Sequence, residues 1–123
     1  MAITTSASET AESALINIAS DTWRLLKLMD RILGKLDAGD GQRYAGQFRY
    51  FKQQVESNLE SAGFKLVNVE GQLFDPGIAA SALNLADFDA DDQLLVDQML
   101  EPIIMSADGI RKRGTVMVRK VKT

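Results

Sequence analysis

The side chains best suited to chemistry in this chain are the carboxylates of one acidic run, Asp87-Phe88-Asp89-Ala90-Asp91-Asp92. Aspartates at alternate positions are typical of a calcium-binding EF-hand loop, which also needs a central glycine and a glutamate at its twelfth position. The run contains no glycine, and its twelfth position is Gln98 when counted from Asp87 and Leu100 when counted from Asp89. We therefore interpret the run as a solvated acidic loop and expect neither a metal site nor a cofactor.

A basic run follows the acidic one and could bind phosphate groups. It consists of Arg111, Lys112, Arg113, Arg119, Lys120 and Lys122. No aromatic side chains alternate with these charges and the net charge of the chain is −3, so any attraction to a nucleic acid would be local. Because residues 84–108 carry acids and no base, the two runs could also neutralise each other within one module. An adaptor whose basic tail contacts a nucleic acid or a membrane is the weakest of three functional hypotheses.

Two residue types that dominate enzyme active sites are missing, because the chain contains no cysteine and no histidine. This excludes disulfides, thiolate nucleophiles and the commonest general base. No carboxylate stands beside a nucleophile–base pair, and no glycine-rich phosphate loop occurs, so we predict a binding protein without a small-molecule substrate rather than an enzyme.

Residues 1–10 lack the pattern of a secretory signal, and no stretch approaches the roughly 20 apolar residues of a membrane helix. We therefore expect a cytoplasmic protein and no membrane partner.

The elements that position these residues begin with a helical hairpin. Apolar residues follow one another at spacings of four and three, which is the pattern of a heptad seam that packs against other helices. The seam consists of Ala11, Leu15, Ile18, Thr22, Leu25, Met29, Ile32 and Leu36. Residues 1–10 are predicted to be a flexible tail, with Ser8 or Thr10 as the cap of the first helix.

A second helix is predicted from about Gln42 to Ser61, because the glycines and aspartates of Asp37–Gly41 favour a break before it. Gly63 follows its last turn and predicts a left-handed C-cap. Two such hairpins could bury their apolar stripes together as a four-helix bundle, so we expect a symmetric homodimer. Its predicted interface contains Leu25, Met29, Ile32, Leu36, Phe48, Phe51, Val55 and Leu59. The alternative is that these stripes form the core of a single chain.

After Gly63 the period of the apolar residues changes from helical to alternating, which predicts a small β-rich domain over residues 64–123. Residues 64–69 and 115–121 read as strands, and Asp108-Gly109 predicts a tight turn before the second of them. Residues 78–100 fit helix or strand equally well. The predicted fold class is therefore α+β, with residues 11–63 as the dimerisation hairpin and residues 64–123 as the β-domain.

Three segments resemble the GrpE family. Residues 25–33, Leu-Leu-Lys-Leu-Met-Asp-Arg-Ile-Leu, are similar to its LLPVIDNLERAL stretch. Residues 51–64 resemble its second bundle helix, and Gly71-Gln72-Leu73-Phe74-Asp75-Pro76 matches its Gly-x-x-Phe-Asp-Pro signature. The order and spacing of these segments agree with the family pattern over about residues 15 to 121.

The resemblance implies a homodimer with a four-helix bundle and a small β-domain that serves DnaK-type chaperones in protein folding and the stress response. GrpE proteins are nucleotide exchange factors whose β-domain binds the chaperone's ATPase domain, holds the nucleotide cleft open and lets ADP leave. By position, Met99 and Val118 would offer apolar contacts to the chaperone and Arg111 a charged one. The structural motif residues Gly63, Phe74, Asp75 and Pro76 would shape the module.

The chain departs from the family pattern on the β-domain. Residues 77–82 stand where the family usually has a His followed two residues later by Ala, and Pro102-Ile103 stands where the family has Gly-Tyr. Asp108 falls at the family's Asn-Gly-Arg turn and changes the sign of a charge that would face the chaperone, and Gly114 adds a residue. The family also has more helix before the bundle, so we expect no stalk function. The alternative is a GrpE-like dimeric binding module or adaptor without exchange activity.

Overall fold

The computed structural model describes the backbone of residues 2–122 and the side chains of residues 8–122. The chain forms two compact units that divide between Gly63 and Phe64, where the sequence changes its period. The first unit is helical and the second is β-rich. This arrangement confirms the predicted α+β class with an N-terminal helical hairpin.

The first unit consists of helix α1 (Ala2–Lys35) and helix α2 (Ala38–Ser61). The prediction of a flexible tail was wrong for residues 2–10, which belong to α1, so Ser8 and Thr10 are not caps. Neither proline nor glycine interrupts this segment, and serine or threonine costs a helix interior at most about 0.7 kcal/mol each. Neither helix, over its described residues, is long and apolar enough to cross a membrane.

The break between the helices is shorter than the sequence predicted. Only Leu36 and Asp37 separate them, and α2 begins at Ala38 instead of about Gln42. The reason is the cap, because the carboxylate of Asp37 accepts a hydrogen bond of 2.8 Å from the N–H of Asp40. At the other end, Gly63 has a φ of +87° and donates to the carbonyl oxygen of Glu60 at 2.9 Å, which confirms the predicted left-handed cap.

The second unit contains two sheets. In chain order, its strands are β1 (Lys65–Val67), β2 (Leu73–Phe74), β3 (Ala80–Ala82), β4 (Leu94–Glu101), β5 (Ile103–Ser106), β6 (Gly109–Lys112) and β7 (Gly114–Lys120). One sheet has the order β1-β5-β6, and the other has the order β2-β4-β7-β3, in which only the described β3–β7 pair is parallel. The ambiguous residues 78–100 therefore supply β3, a short 3-10 helix at Leu85–Asp87 and most of β4.

The core of the β-rich unit lies along the central pair β4–β7. Val96, Met99, Ile104 and Val116 are all less than 2% exposed. In β7 the buried residues alternate with half-buried ones, as the pleat of a strand requires. Strand β4 alternates less regularly, because its pairing with β7 shifts between Val96 and Gln98 and again between Met99 and Glu101. The shifts allow Val96 and Met99, which are three residues apart, to be buried together.

Strands β5 and β6 form a hairpin whose tight turn lies one residue before the predicted Asp108-Gly109. Its turn is Ala107-Asp108, and Ser106 lies opposite Gly109. Gly109 has a φ of +117°, a backbone conformation that residues with a Cβ rarely adopt. The hairpin therefore places Asp108 at its tip and Arg111 on its second strand.

Candidate functional site

The predicted heptad seam of α1 is largely exposed within the chain. Leu25 is 51% exposed and Ile32 is 42% exposed, although both are large and apolar. Among the described side chains of α1, residues 8–35, the buried ones are Ala19, Ser20, Trp23 and Leu26. Since exposed apolar surface of this extent is unfavourable in water, the seam is available to a partner.

A groove runs between α1 and α2 where this exposed seam meets the aromatic residues of α2. It has a volume of about 540 Å³, and Leu25, Met29, Ile32, Tyr44 and Phe51 are among the side chains that line it. Apart from the amide of Gln47 and the hydroxyl of Tyr44, the described side chains of that lining are apolar. We call this feature the seam groove. Its lining is typical of a surface that packs against apolar side chains rather than one that stays in contact with water.

The structure divides the predicted interface residues into two groups. Five of them, together with half-buried Phe48, line the seam groove: Leu25, Met29, Ile32, Leu36 and Phe51. Val55 is half-buried and lies outside that lining. Leu59 is only 5% exposed, so its prediction as an interface residue is wrong. Only part of the apolar stripe of α2 is therefore exposed, and the part at Leu59 is buried within the chain.

Two of the residues predicted to bind a partner lie in the core. Met99 is 1% exposed and Val118 is 3% exposed, so neither can contact a partner from its position in this fold. The Sδ atom of Met99 accepts a hydrogen bond of 3.2 Å from the N–H of Val69. Val118 shares the inward face of β7 with Val116. The prediction from position was wrong for both residues, because the pairing irregularities of β4 and the alternation of β7 turn them inward.

The other two predicted residues, Asp108 and Arg111, are exposed on the β5–β6 hairpin. They accompany an apolar pair that the sequence reasoning missed, since Met105 and Ile110 lie opposite each other and are 36% and 50% exposed. We call the surface formed by Met105, Asp108, Ile110 and Arg111 the hairpin tip. The sequence gives little indication of this surface, because the exposed Met105 directly follows the buried Ile103 and Ile104 in an apolar segment.

The Phe-Asp-Pro segment forms a tight turn at the end of β2. A carboxylate oxygen of Asp75 accepts a hydrogen bond of 2.7 Å from the N–H of Gly77, and the N–H of Ile78 donates to the carbonyl oxygen of Asp75 at 3.1 Å. Pro76 occupies the second position of this turn, where its fixed φ is favourable. These bonds give the segment a local structural role.

The basic run pairs with acidic side chains of residues 84–108. Ion pairs join Lys112 to Glu101 at 3.5 Å, Arg119 to Asp97 at 3.2 Å and Lys120 to Asp92 at 3.3 Å. The guanidinium of Arg113 donates to the carbonyl oxygens of Ile78 and Ala80 at 3.5 and 3.3 Å. Much of the basic run is therefore engaged within the β-rich unit, which weakens the phosphate-binding hypothesis.

The acidic loop has the hydrogen bonding of a turn. The N–H of Asp89 donates to the carboxylate of Asp92 at 3.0 Å, and this bond is the largest of the effects that lower the pKa of Asp92. Among the residues that the structure describes, no group of three or more acidic side chains is arranged to hold a metal ion. Comparisons with protein-family models, with curated proteins and with solved structures found no match.

Proposed function

We propose that this chain is a GrpE-like nucleotide exchange factor, which acts as a homodimer and promotes ADP release from a DnaK-type chaperone by binding its ATPase domain. The observation that carries the proposal is a helical hairpin with an exposed seam groove, followed in the chain by a β-rich unit with a Phe-Asp-Pro turn. The family that the sequence resembles has the same parts in the same order. The proposal needs no bond-making chemistry from the protein and places it in the cytoplasm.

The dimer is supported by the chemistry of the seam groove. A second hairpin would bring an identical apolar stripe, and a two-fold arrangement would set Leu25, Ile32 and Phe51 of each copy against the other. Fully burying a side chain of this kind contributes about 1.5–3 kcal/mol. Several such residues on each copy therefore supply enough apolar burial for a stable four-helix bundle.

The hairpin tip is the best candidate for the chaperone contact. Met105 and Ile110 offer apolar surface, the next residue of β6, Arg111, carries a positive charge, and one two-stranded hairpin holds all three. Exchange requires only that this surface binds the open state of the ATPase domain more tightly than the closed, nucleotide-bound state. Each tenfold difference in affinity between the two states corresponds to about 1.4 kcal/mol.

The test is a nucleotide-release assay. Each DnaK-type chaperone of the host is loaded with a fluorescent ADP analogue, chased with unlabelled nucleotide, and followed with and without the full chain. We expect faster release with the full chain, and a release rate close to the unassisted one with the Ile110→Asp variant. Leu83→Asp is the matched control, because Leu83 is also apolar and exposed in the β-rich unit but lies outside the hairpin tip. If the full chain accelerates release from none of these chaperones, the exchange function is wrong.

A second candidate is a GrpE-like dimeric binding module without exchange activity. It is favoured by the exposed carboxylate of Asp108 at the tip, where the family pattern has a positive charge, and by the burial of Met99 and Val118. Under this candidate the chain would bind an ATPase domain, or another protein, without changing the rate of ADP release. Measuring binding and release on the same chaperone separates the two candidates, since only the first predicts both.

A further inference from the structure

The β-rich unit contains an open pocket of about 750 Å³, and no residue of 103–112 lines it. The volume lies within the range of ligand-binding clefts, which is about 300–1,000 Å³. Its apolar lining includes Phe74, Ile78, Leu85 and Phe88. Leu85 is 48% exposed, so an apolar side chain that reaches the pocket would remove further apolar surface from water.

Local hydrogen bonds hold the walls of this pocket in place. The side chain of Asn84 donates to the carbonyl oxygen of Val118 at 2.8 Å and accepts from the N–H of Val118 at 2.9 Å. These two bonds fix the start of the loop that carries Leu85 and Phe88. The hydrogen bonds of the Asp75 turn fix another part of the lining. A pocket with such supported walls pays little conformational entropy when it binds a ligand.

Acidic side chains lie in the lining of the pocket and next to it in the chain. Asp89 lines the pocket, and Asp87 and Asp91 lie on either side of it in the chain. Among the described side chains of residues 8–122, none forms an ion pair with these three carboxylates, whereas Asp92 is paired with Lys120. Arg113 also lines the pocket, but its guanidinium is directed to two backbone carbonyls.

We propose that this pocket binds an extended basic segment of a partner protein. An apolar side chain of that segment would occupy the space beside Phe74 and Phe88, and its lysine or arginine side chains would face Asp87, Asp89 and Asp91. The charge complementarity selects a basic segment over an acidic or a purely apolar one. The pocket and its rim are independent of the hairpin tip, so this binding does not rest on exchange activity.

The test is an NMR titration of the ¹⁵N-labelled full chain with synthetic peptides. The probe is a short peptide with a central Leu-Phe pair between two pairs of lysines. We expect it to shift the amide signals of Phe74, Ile78, Leu85 and Phe88 in a saturable manner. Replacing its lysines with glutamates, or its Leu-Phe pair with serines, should weaken binding by about tenfold or more, as the loss of several exposed ion pairs or of the apolar contact predicts.

Two variants connect the binding to the pocket. Ala90→Phe fills the space from an exposed position in its lining and should abolish the shifts. The double variant Asp89→Asn with Asp91→Asn should weaken binding and reduce its dependence on salt, whereas Glu56→Gln, at an exposed carboxylate of α2, should leave both unchanged. The proposal is overturned if the glutamate peptide binds equally well, or if the Ala90→Phe variant binds as the unmodified chain does. Shifts of the same amides on concentrating the protein alone would also overturn it, because the occupant would then be a second copy.

Discussion

At the scale of single residues, the packing of the β-rich unit depends on Gly114, the first residue of β7. A Cβ at this position would lie 2.9 Å from Cγ1 of Ile103, 3.0 Å from the carbonyl oxygen of Glu101 and 3.0 Å from Cε of Met99. One of these atoms belongs to the backbone and the other two to a packed core. We expect Gly114→Ala to lower the free energy of unfolding by about 1–3 kcal/mol, as overpacked core sites do.

The measurement is chemical denaturation followed by circular dichroism. Gly46→Ala is the matched control, because Gly46 lies inside α2 and a Cβ there would meet no atom within 4 Å. That substitution should raise the stability of the helix by about 0.4–1 kcal/mol. Equal effects of the two substitutions would contradict the role of Gly114.

A second residue-scale prediction concerns acid stability and Asp92. The hydrogen bond from the Asp89 N–H, helped by the charge of Lys120, holds the pKa of Asp92 below its ordinary value of 3.8 in the folded protein, against partial burial that raises it. A carboxylate whose pKa is lowered by folding stabilises the protein above its unfolded-state pKa and loses this contribution as the pH falls through its folded-state pKa. Asp92→Asn should therefore destabilise the protein near neutral pH and have a steadily smaller effect below about pH 4.

Thermal melts of the two proteins at a series of pH values measure this difference. The Asp108→Asn variant serves as the reference, because Asp108 is exposed and lies in the turn between β5 and β6. A difference between Asp92→Asn and the unmodified chain that stays constant from neutral pH to about pH 3 would show that the carboxylate contributes nothing through its charge.

At the scale of elements, the exposed face of α1 distinguishes a surface for a partner from an ordinary helix surface. Leu25 and Leu28 are the same residue type, lie less than one turn apart and are 51% and 47% exposed. Only Leu25 lines the seam groove. Leu25→Asp should therefore disrupt the dimer, since a buried charge without a partner is strongly unfavourable, whereas Leu28→Asp should leave the dimer intact.

Light scattering coupled to gel filtration checks this prediction at micromolar concentration. Circular dichroism of both variants shows whether the helices remain. If both substitutions leave a dimer, the seam groove is not the interface. If both produce a monomer, the interface extends around the helix beyond the heptad seam.

The elements also show what could be predicted from the sequence and what could not. The spacing of the apolar residues predicted the helical hairpin, the boundary between the two units at Gly63 and the last strand, because these features depend on local patterns. The burial of Met99 could not be predicted, because the pairing irregularities of β4 arise from its neighbour β7 and leave no mark in the residues of β4 itself. The same limit applies to Leu59, whose burial depends on packing beyond its own helix.

The candidate sites also differ in how far local sequence patterns predict them. The seam groove was predictable, since Leu25 and Ile32 belong to a heptad pattern that any helix would place on one face. The hairpin tip was predicted only in part, through Asp108 and Arg111. The pocket beside Phe74 was not predicted, because it is formed by segments that are distant in the sequence and by residues 78–100, which fit helix or strand equally well.

At the scale of the whole molecule, the proposed function makes stability depend on concentration. Each hairpin alone leaves Leu25, Ile32 and Phe51 in contact with water, so a large part of its apolar burial would come from the second copy. A folded dimer in equilibrium with unfolded monomers becomes more stable as the protein concentration rises, by mass action. We therefore expect a molar mass of twice the chain mass of 13.5 kDa, and a melting temperature that rises between low and high micromolar concentration.

We expect the dependence of the melting temperature on concentration to arise in the helical unit. The single tryptophan, Trp23, is 8% exposed and lies in α1, so its fluorescence reports on the helical unit. The melting temperature measured by Trp23 fluorescence should rise with protein concentration. Leu25→Asp should abolish both the dimer and this rise. A melting temperature of the Trp23 signal that does not change over a hundredfold range of concentration, with a monomeric mass, would exclude the four-helix bundle. The chaperone contact would then have to be made by a single chain.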